Sequence, residues 1–202
     1  MTDGAPATRS DCKGVWLLTG EIHIGKSTVC QSVVAEARRR GWRVAGLMSP
    51  TVFGAEGQRI AVQMIDLSTN EKRTLAMLNH DLGGPHVGPY HFDPCTLAWG
   101  HNVVAEAIAR GCDLLVIDEI GRLELEQDAG LAIVPLLAAC PLPLSLLVVR
   151  RPLLHLFHQK LPRLDLHIRR QCGRQQISLS QPHMGVAIGI EAQVNVAETP
   201  KI

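Results

Sequence analysis

Gly20, Gly25, Lys26 and Ser27 stand in the order GxxxxGK[ST] within Gly20-Glu21-Ile22-His23-Ile24-Gly25-Lys26-Ser27. The glycines let successive backbone N–H groups converge on phosphate oxygens, the lysine brings a point charge to β and γ phosphates, and the serine hydroxyl is a hard ligand for Mg2+. The candidate nucleotide-binding residues are Gly20, Glu21, Ile22, His23, Ile24, Gly25, Lys26, Ser27 and Thr28, with Lys26 also a candidate catalytic group. Far downstream, Leu114-Leu115-Val116-Ile117 runs into Asp118-Glu119. An apolar strand would carry this acidic pair to its C-terminal edge, where ligands sit in open α/β sheets. Asp118 joins Ser27 as a candidate metal ligand, and Glu119 is placed to orient or deprotonate an attacking water. The chemistry this combination suits is Mg2+-assisted phosphoryl transfer.

A guanidinium opposite the charge that develops in such a transfer would complete the site. Arg150 and Arg151 follow an apolar run at the same sheet edge and are the first candidates, ahead of Arg122 and Arg174. Glu124 reads as a structural carboxylate that ties down the segment after Glu119. His23 is expected to face solvent from within the loop. His80, His86 and His91 fall at H-x₃₋₅-H spacings, but in a turn-rich segment with no CxxC or HExxH to complete a zinc site. Tyr90 could stack on a base or pack beneath its loop, and packing is the commoner use of a lone tyrosine.

These residues need elements to hold them. Residues 14–19 form a compact apolar run suited to a strand buried on both faces, and residues 26–40 place Val29, Val33, Val34 and Ala37 on one helical face before Gly41. Strand, glycine loop and helix thus follow one another. Residues 43–49 and 59–66 read as further strands, the second half-exposed and preceded by a turn at 54–57. Residues 79–94, dense in glycine and proline, are expected to be a surface loop. A helix over 97–110, a central strand over 112–117, a partly helical 131–139, a buried strand over 144–150 and a short helix over 153–160 complete the pattern. The alternation predicts an α/β fold: a mostly parallel, doubly wound sheet with helices on both faces and a small hairpin insertion. We expect a lead at 1–13, one domain at 14–180 and an unplaced tail at 181–202, in which 184–190 could add an edge strand.

With 202 residues, the chain can bury one core without metal or disulfide staples. A net charge of +1, from 20 basic and 19 acidic residues, offers no electrostatic footprint for nucleic acid or an anionic membrane. Aromatic residues make up 3% of the chain, which leaves few rings for base stacking. The six cysteines include no CxxC pair, no signal-peptide pattern opens the chain, and no apolar run is long enough to span a bilayer, so a reduced cytoplasmic location is expected.

Asp118-Glu119-Ile120-Gly121-Arg122-Leu123-Glu124-Leu125 resembles D-E-I-G-[KR]-M-E-L, a motif of the small P-loop nucleoside triphosphatases of the thermophile type, which also have relatives in animals. The phosphate loop at 20–28, the strand at 43–47, Gly57-Gln58-Arg59-Ile60 and Gly88-Pro89-Tyr90 match other elements of that family, and the likeness spans residues 14–174. Ser49-Pro50-Thr51-Val52-Phe53 stands where the family usually has Thr-Glu and an Arg, and its late Asn-Arg is Gly173-Arg174 here. The resemblance implies a P-loop enzyme that hydrolyses nucleoside triphosphates to diphosphates with Mg2+ and broad base tolerance. It implies Glu119 as the catalytic base. Two alternatives use the same cradle: a nucleotide or small-molecule kinase, which needs an acceptor pocket and a basic lid, and a nucleotide-dependent switch with little turnover. The stretch 150–174 is basic enough for a lid, yet the spacing of Leu153, Leu154, Leu156, Phe157 and Leu161 favours a packed helix.

Overall fold

The chain is described here by a computed structural model covering residues 14–20, 24–139, 142–164, 166–170, 177–179 and 190–192. In chain order, β1 (Val15–Gly20) precedes α1 (Lys26–Arg39), β2 (Val44–Met48), β3 (Thr51–Phe53), β4 (Arg59–Asp66) and β5 (Lys72–Leu78). Then come β6 (His86–Val87), β7 (Tyr90–Phe92), α2 (Pro94–Arg110), β8 (Leu114–Ile120), α3 (Arg122–Leu125) and α4 (Ile133–Ala139). β9 (Ser145–Arg150), a 3₁₀ turn (Arg151–Leu153), α5 (Leu154–Lys160), β10 (Leu166–Arg170), β11 (Ile177–Leu179) and β12 (Ile190–Ala192) follow.

The main sheet runs β10-β1-β9-β8-β2-β4-β5-β7-β6, with β3 paired to β4. From β10 to β2 every pairing is parallel. Within it β1, β9, β8 and β2 are apolar at both parities because each face is covered. On one face Trp16, Leu18, Leu114, Val116, Leu146 and Val148 meet Val29, Cys30, Val33, Val34 and Ala37 of α1. The opposite face carries Leu17, Leu115, Ile117, Leu147 and Val149, packed with Val104 of α2, Ile133 and Leu137 of α4, and Phe157 of α5. Each large side chain buried this way contributes roughly 1.5–3 kcal/mol, so the alternation itself fixes which face of β1, β8 and β9 looks toward α1.

From β2 outward the pairings are antiparallel. The insertion is therefore larger than the small hairpin expected. Residues 79–94 do not form a plain loop: Gly83 and Gly88, with φ of 79° and 56°, make turns, while Tyr90–Phe92 extends the sheet beside β5. The dense turn formers mark the bends of a hairpin. α2 begins at Pro94, three residues before the expected start, because Asp93 accepts hydrogen bonds from the Cys95 and Thr96 amides at 3.2 and 3.0 Å and proline suits the first helical position. The edge strand considered over 184–190 lies outside the described residues except Ile190, which pairs with Leu179 in a separate two-stranded sheet. The lead at 1–13 also lies outside them.

β2 touches β8 closely at one point. Gly46 has φ +104°, and a Cβ there would come within 2.1 Å of the Val116 carbonyl oxygen. That contact is with backbone and cannot be relieved by a side-chain rotation. Gly46→Ala is expected to destabilise the protein by more than about 3 kcal/mol, whereas Gly57→Ala, in open space at φ +79°, costs only about 1–2 kcal/mol. Urea denaturation of both variants checks this, and equal losses would contradict the close approach.

Candidate active site

β1 delivers the chain to the loop as a fully buried strand and ends at Gly20. Helix α1 starts at Lys26 behind Gly25, whose φ of 90° and ψ of 21° are left-handed and favour glycine. Among the described residues no side chain caps this helix, which leaves its first amides available as hydrogen-bond donors. Lys26 is buried and folds back so that its Nζ donates to the Gly20 carbonyl oxygen at 3.2 Å. Ser27 is half-buried, and Thr28 is exposed one position further round the helix. Glu21, Ile22 and His23 lie outside the described residues.

Asp118 is 2% exposed, on the face of β8 that looks toward α1. Burial pushes its carboxyl up to about 6; a hydrogen bond from Ser27 opposes the rise, the neighbouring Glu119 adds to it, and Lys26 lowers it. Among the described residues its Oδ2 has no hydrogen-bond partner. A buried carboxylate oxygen left unsatisfied is costly unless something else binds it. The Cys30 thiol, one turn along α1, is pushed up by burial and then by Asp118.

Glu119 is half-buried, and its Oε1 accepts a hydrogen bond from Arg150 Nε at 2.5 Å. The two residues stand 31 apart in sequence and meet because β9 lies beside β8. With the guanidinium 46% exposed, the pair contributes only about 0.2–1 kcal/mol to stability. Arg151 occupies the exposed turn just after β9. Arg122 lies instead against Glu126 of the next turn at 3.7 Å, and Arg174 is outside the described residues.

Glu124 holds the exit from β8 in place. Its carboxylate accepts from the Gly121 amide at 2.9 Å and the Leu131 amide at 3.1 Å. Burial raises its carboxyl, and those two amides oppose the rise. A Cβ at Gly130 would fall 2.3 Å from Glu124 Oε1, so glycine lets the backbone wrap this carboxylate.

The remaining candidates are elsewhere. Tyr90 packs against the core face that carries α2. His86 and His91 are cross-strand partners with ring centroids 5.8 Å apart, and among the described residues no cluster of three or more His, Cys, Asp or Glu side chains suits a metal. No described helix is long and apolar enough to cross a membrane. What sequence reasoning missed is the Arg150–Glu119 pair, whose signal was only an arginine at the end of an apolar run, and the buried Thr19 hydroxyl at the end of β1, unpartnered among the described residues.

Proteins named nucleoside-triphosphatase THEP1 are similar to this chain. That of Caldivirga maquilingensis is 34% identical over 120 residues, covering 59% of this chain and 65% of its own length. That of Methanosarcina barkeri is 32% identical over 148 residues, covering 72% and 82%. The chain therefore spans just under two thirds of the Caldivirga relative. The crystal structure of THEP1 from the hyperthermophile Aquifex aeolicus is similar with a TM-score of 0.56 at 17% identity, over 79% of this chain and 90% of that one, which bears on the fold alone. A family model described as NTPase matches residues 15–169, well over half of the sequence, and this chain belongs to that family.

Proposed function

We propose that this protein hydrolyses nucleoside triphosphates to diphosphates and phosphate, with Mg2+ as cofactor. The observation that carries the reading is Asp118: a buried carboxylate with one unpartnered oxygen, hydrogen-bonded to the serine of a phosphate-binding loop. The name of its relatives, nucleoside-triphosphatase, supports the same reaction. The residues present fit a divalent cation, since Ser27 and Asp118 together offer hard oxygen ligands. When bound, the ion would draw charge from the phosphate oxygens as the terminal group departs.

In this reading the loop, Gly20 to Thr28, orients the phosphates through its amides, and Lys26 leaves the Gly20 carbonyl to meet β and γ oxygens. Glu119, at the mouth of the site, orients a water and takes its proton. Arg150 and Arg151 supply positive charge at the edge where the terminal phosphate would lie. A reduced, cytoplasmic location belongs to the same reading and is supported by the lack of a CxxC pair among the six cysteines of the sequence.

The buried carboxylate also has a consequence for stability. Folded Asp118 keeps its proton up to about pH 6, while the unfolded chain loses it near 3.8. Between these values the folded state holds more protons, so stability falls as pH rises, and above pH 6 the ionised group costs on the order of 3 kcal/mol.

Three variants test the reading. Lys26→Ala should lose tight triphosphate binding in a titration with a labelled nucleotide. Glu119→Gln should still bind but turn over roughly 10² to 10⁴ times more slowly; single-turnover cleavage at the wild-type rate would remove Glu119 as the base. Asp118→Asn should stabilise the metal-free, nucleotide-free protein at pH 7 by on the order of 2 kcal/mol, with the gain shrinking toward zero between pH 6 and pH 4. Denaturation in a chelator across that range measures it, and a gain independent of pH would contradict the buried charge.

A further inference from the structure

β9 lies between β1, which leads into the phosphate loop, and β8, which carries Asp118 and Glu119 near its end. Its last residue, Arg150, is in register with Gly20 on one side, while its guanidinium reaches Glu119 on the other. One exposed cation thus stands between the start of the phosphate cradle and the carboxylate at the mouth of the site. We infer that Arg150 is a latch that alternates between Glu119 and the terminal phosphate of a bound nucleoside triphosphate. This rests on the triphosphatase reading and adds to it a means of sensing the third phosphate.

Occupancy of Glu119, exposure of the pair and the shape of the phosphate all favour the exchange. With Arg150 bound, one oxygen of Glu119 is directed at a guanidinium and is not available to hold a water. The pair is half-exposed, so its dissociation is opposed by a factor of only about five. A terminal phosphate offers more charge and more acceptor oxygens than a carboxylate, in a geometry that the planar guanidinium matches with two parallel bonds. A diphosphate ends one group short and leaves the pair closed. Of the neighbouring charges, Lys26 belongs to the cradle, Asp118 is the buried carboxylate and Arg151 stands in the turn after β9.

The test is a double-mutant cycle read by equilibrium binding of ADP and of an ATP analogue with an imido β,γ bridge, with Mg2+, to the full chain. Glu119→Gln removes Arg150's competitor and should tighten the analogue about fivefold with ADP unchanged. Arg150→Ala should cut the preference for the analogue over ADP by about tenfold or more. Glu119→Gln placed on Arg150→Ala should then have no further effect. If Glu119 merely repels anions, its substitution tightens the analogue equally in both backgrounds, and the latch is wrong. An unchanged preference in Arg150→Ala would also overturn it. Arg150→Gln, which keeps a polar side chain, and unfolding midpoints for every variant separate a lost contact from a damaged fold. If the wild-type chain binds neither nucleotide, the triphosphatase reading fails and the latch with it; if it binds and hydrolyses while the cycle is flat, only the latch falls.

Discussion

The carboxylate of Asp118 is held near the end of a strand whose preceding four residues are apolar and buried, and most of the surrounding structure follows from keeping it there. A group so far from water must be met by polar partners or bound by a cation. Strand β8 is central, with β2 and β9 on either side and a core on each face, so water cannot reach the carboxylate along the sheet. Among the described residues, Ser27 and Lys26 at the start of α1 are polar groups that act on it. The same helix is bound to the sheet by Val29, Val33, Val34 and Ala37, so the packing that stabilises the fold also sets the distance between loop and carboxylate.

Around this point the chain places its adjustable groups at the surface and its fixed ones inside. Glu124, buried and bonded to two amides, anchors the turn that follows β8. Glu119 and Arg150, half-exposed, sit just outside it and are held to each other by an interaction weak enough to exchange. That division suits the proposed reaction: a fixed carboxylate holds the turn after β8 while the exposed pair is able to exchange. The antiparallel half of the sheet, from β4 to β6, takes no part in this arrangement among the described residues and is attached through β2.

Much of the parallel half could be read in the residues. Glycine and lysine spacing marked the connection from β1 to α1, and apolar runs at 14–19, 112–117 and 144–150 became β1, β8 and β9 within a few positions. Buried strands leave this trace because both faces must be apolar. The antiparallel half left less. β5 opens with the exposed Lys72-Arg73-Thr74 before Leu75 and Ala76 turn inward, so it lacks the alternation that marks a half-buried strand. β6 and β7 were hidden by the glycines and prolines of their own turns. At the site, the identities of Lys26, Ser27, Asp118 and Glu119 were legible as types, but the meeting of Arg150 with Glu119 depends on the order of strands in the sheet, which no local pattern encodes.

In the proposed reaction the cradle and the buried carboxylate together serve hydrolysis of a triphosphate. Phosphate release from ATP, GTP, CTP and UTP, measured with the full chain with and without Mg2+ and with no added acceptor, tests it most directly. The expected result is one phosphate and one diphosphate per triphosphate consumed, from more than one base, and suppression by a chelator. Tight nucleotide binding without phosphate release, or transfer only when an acceptor is supplied, would contradict it.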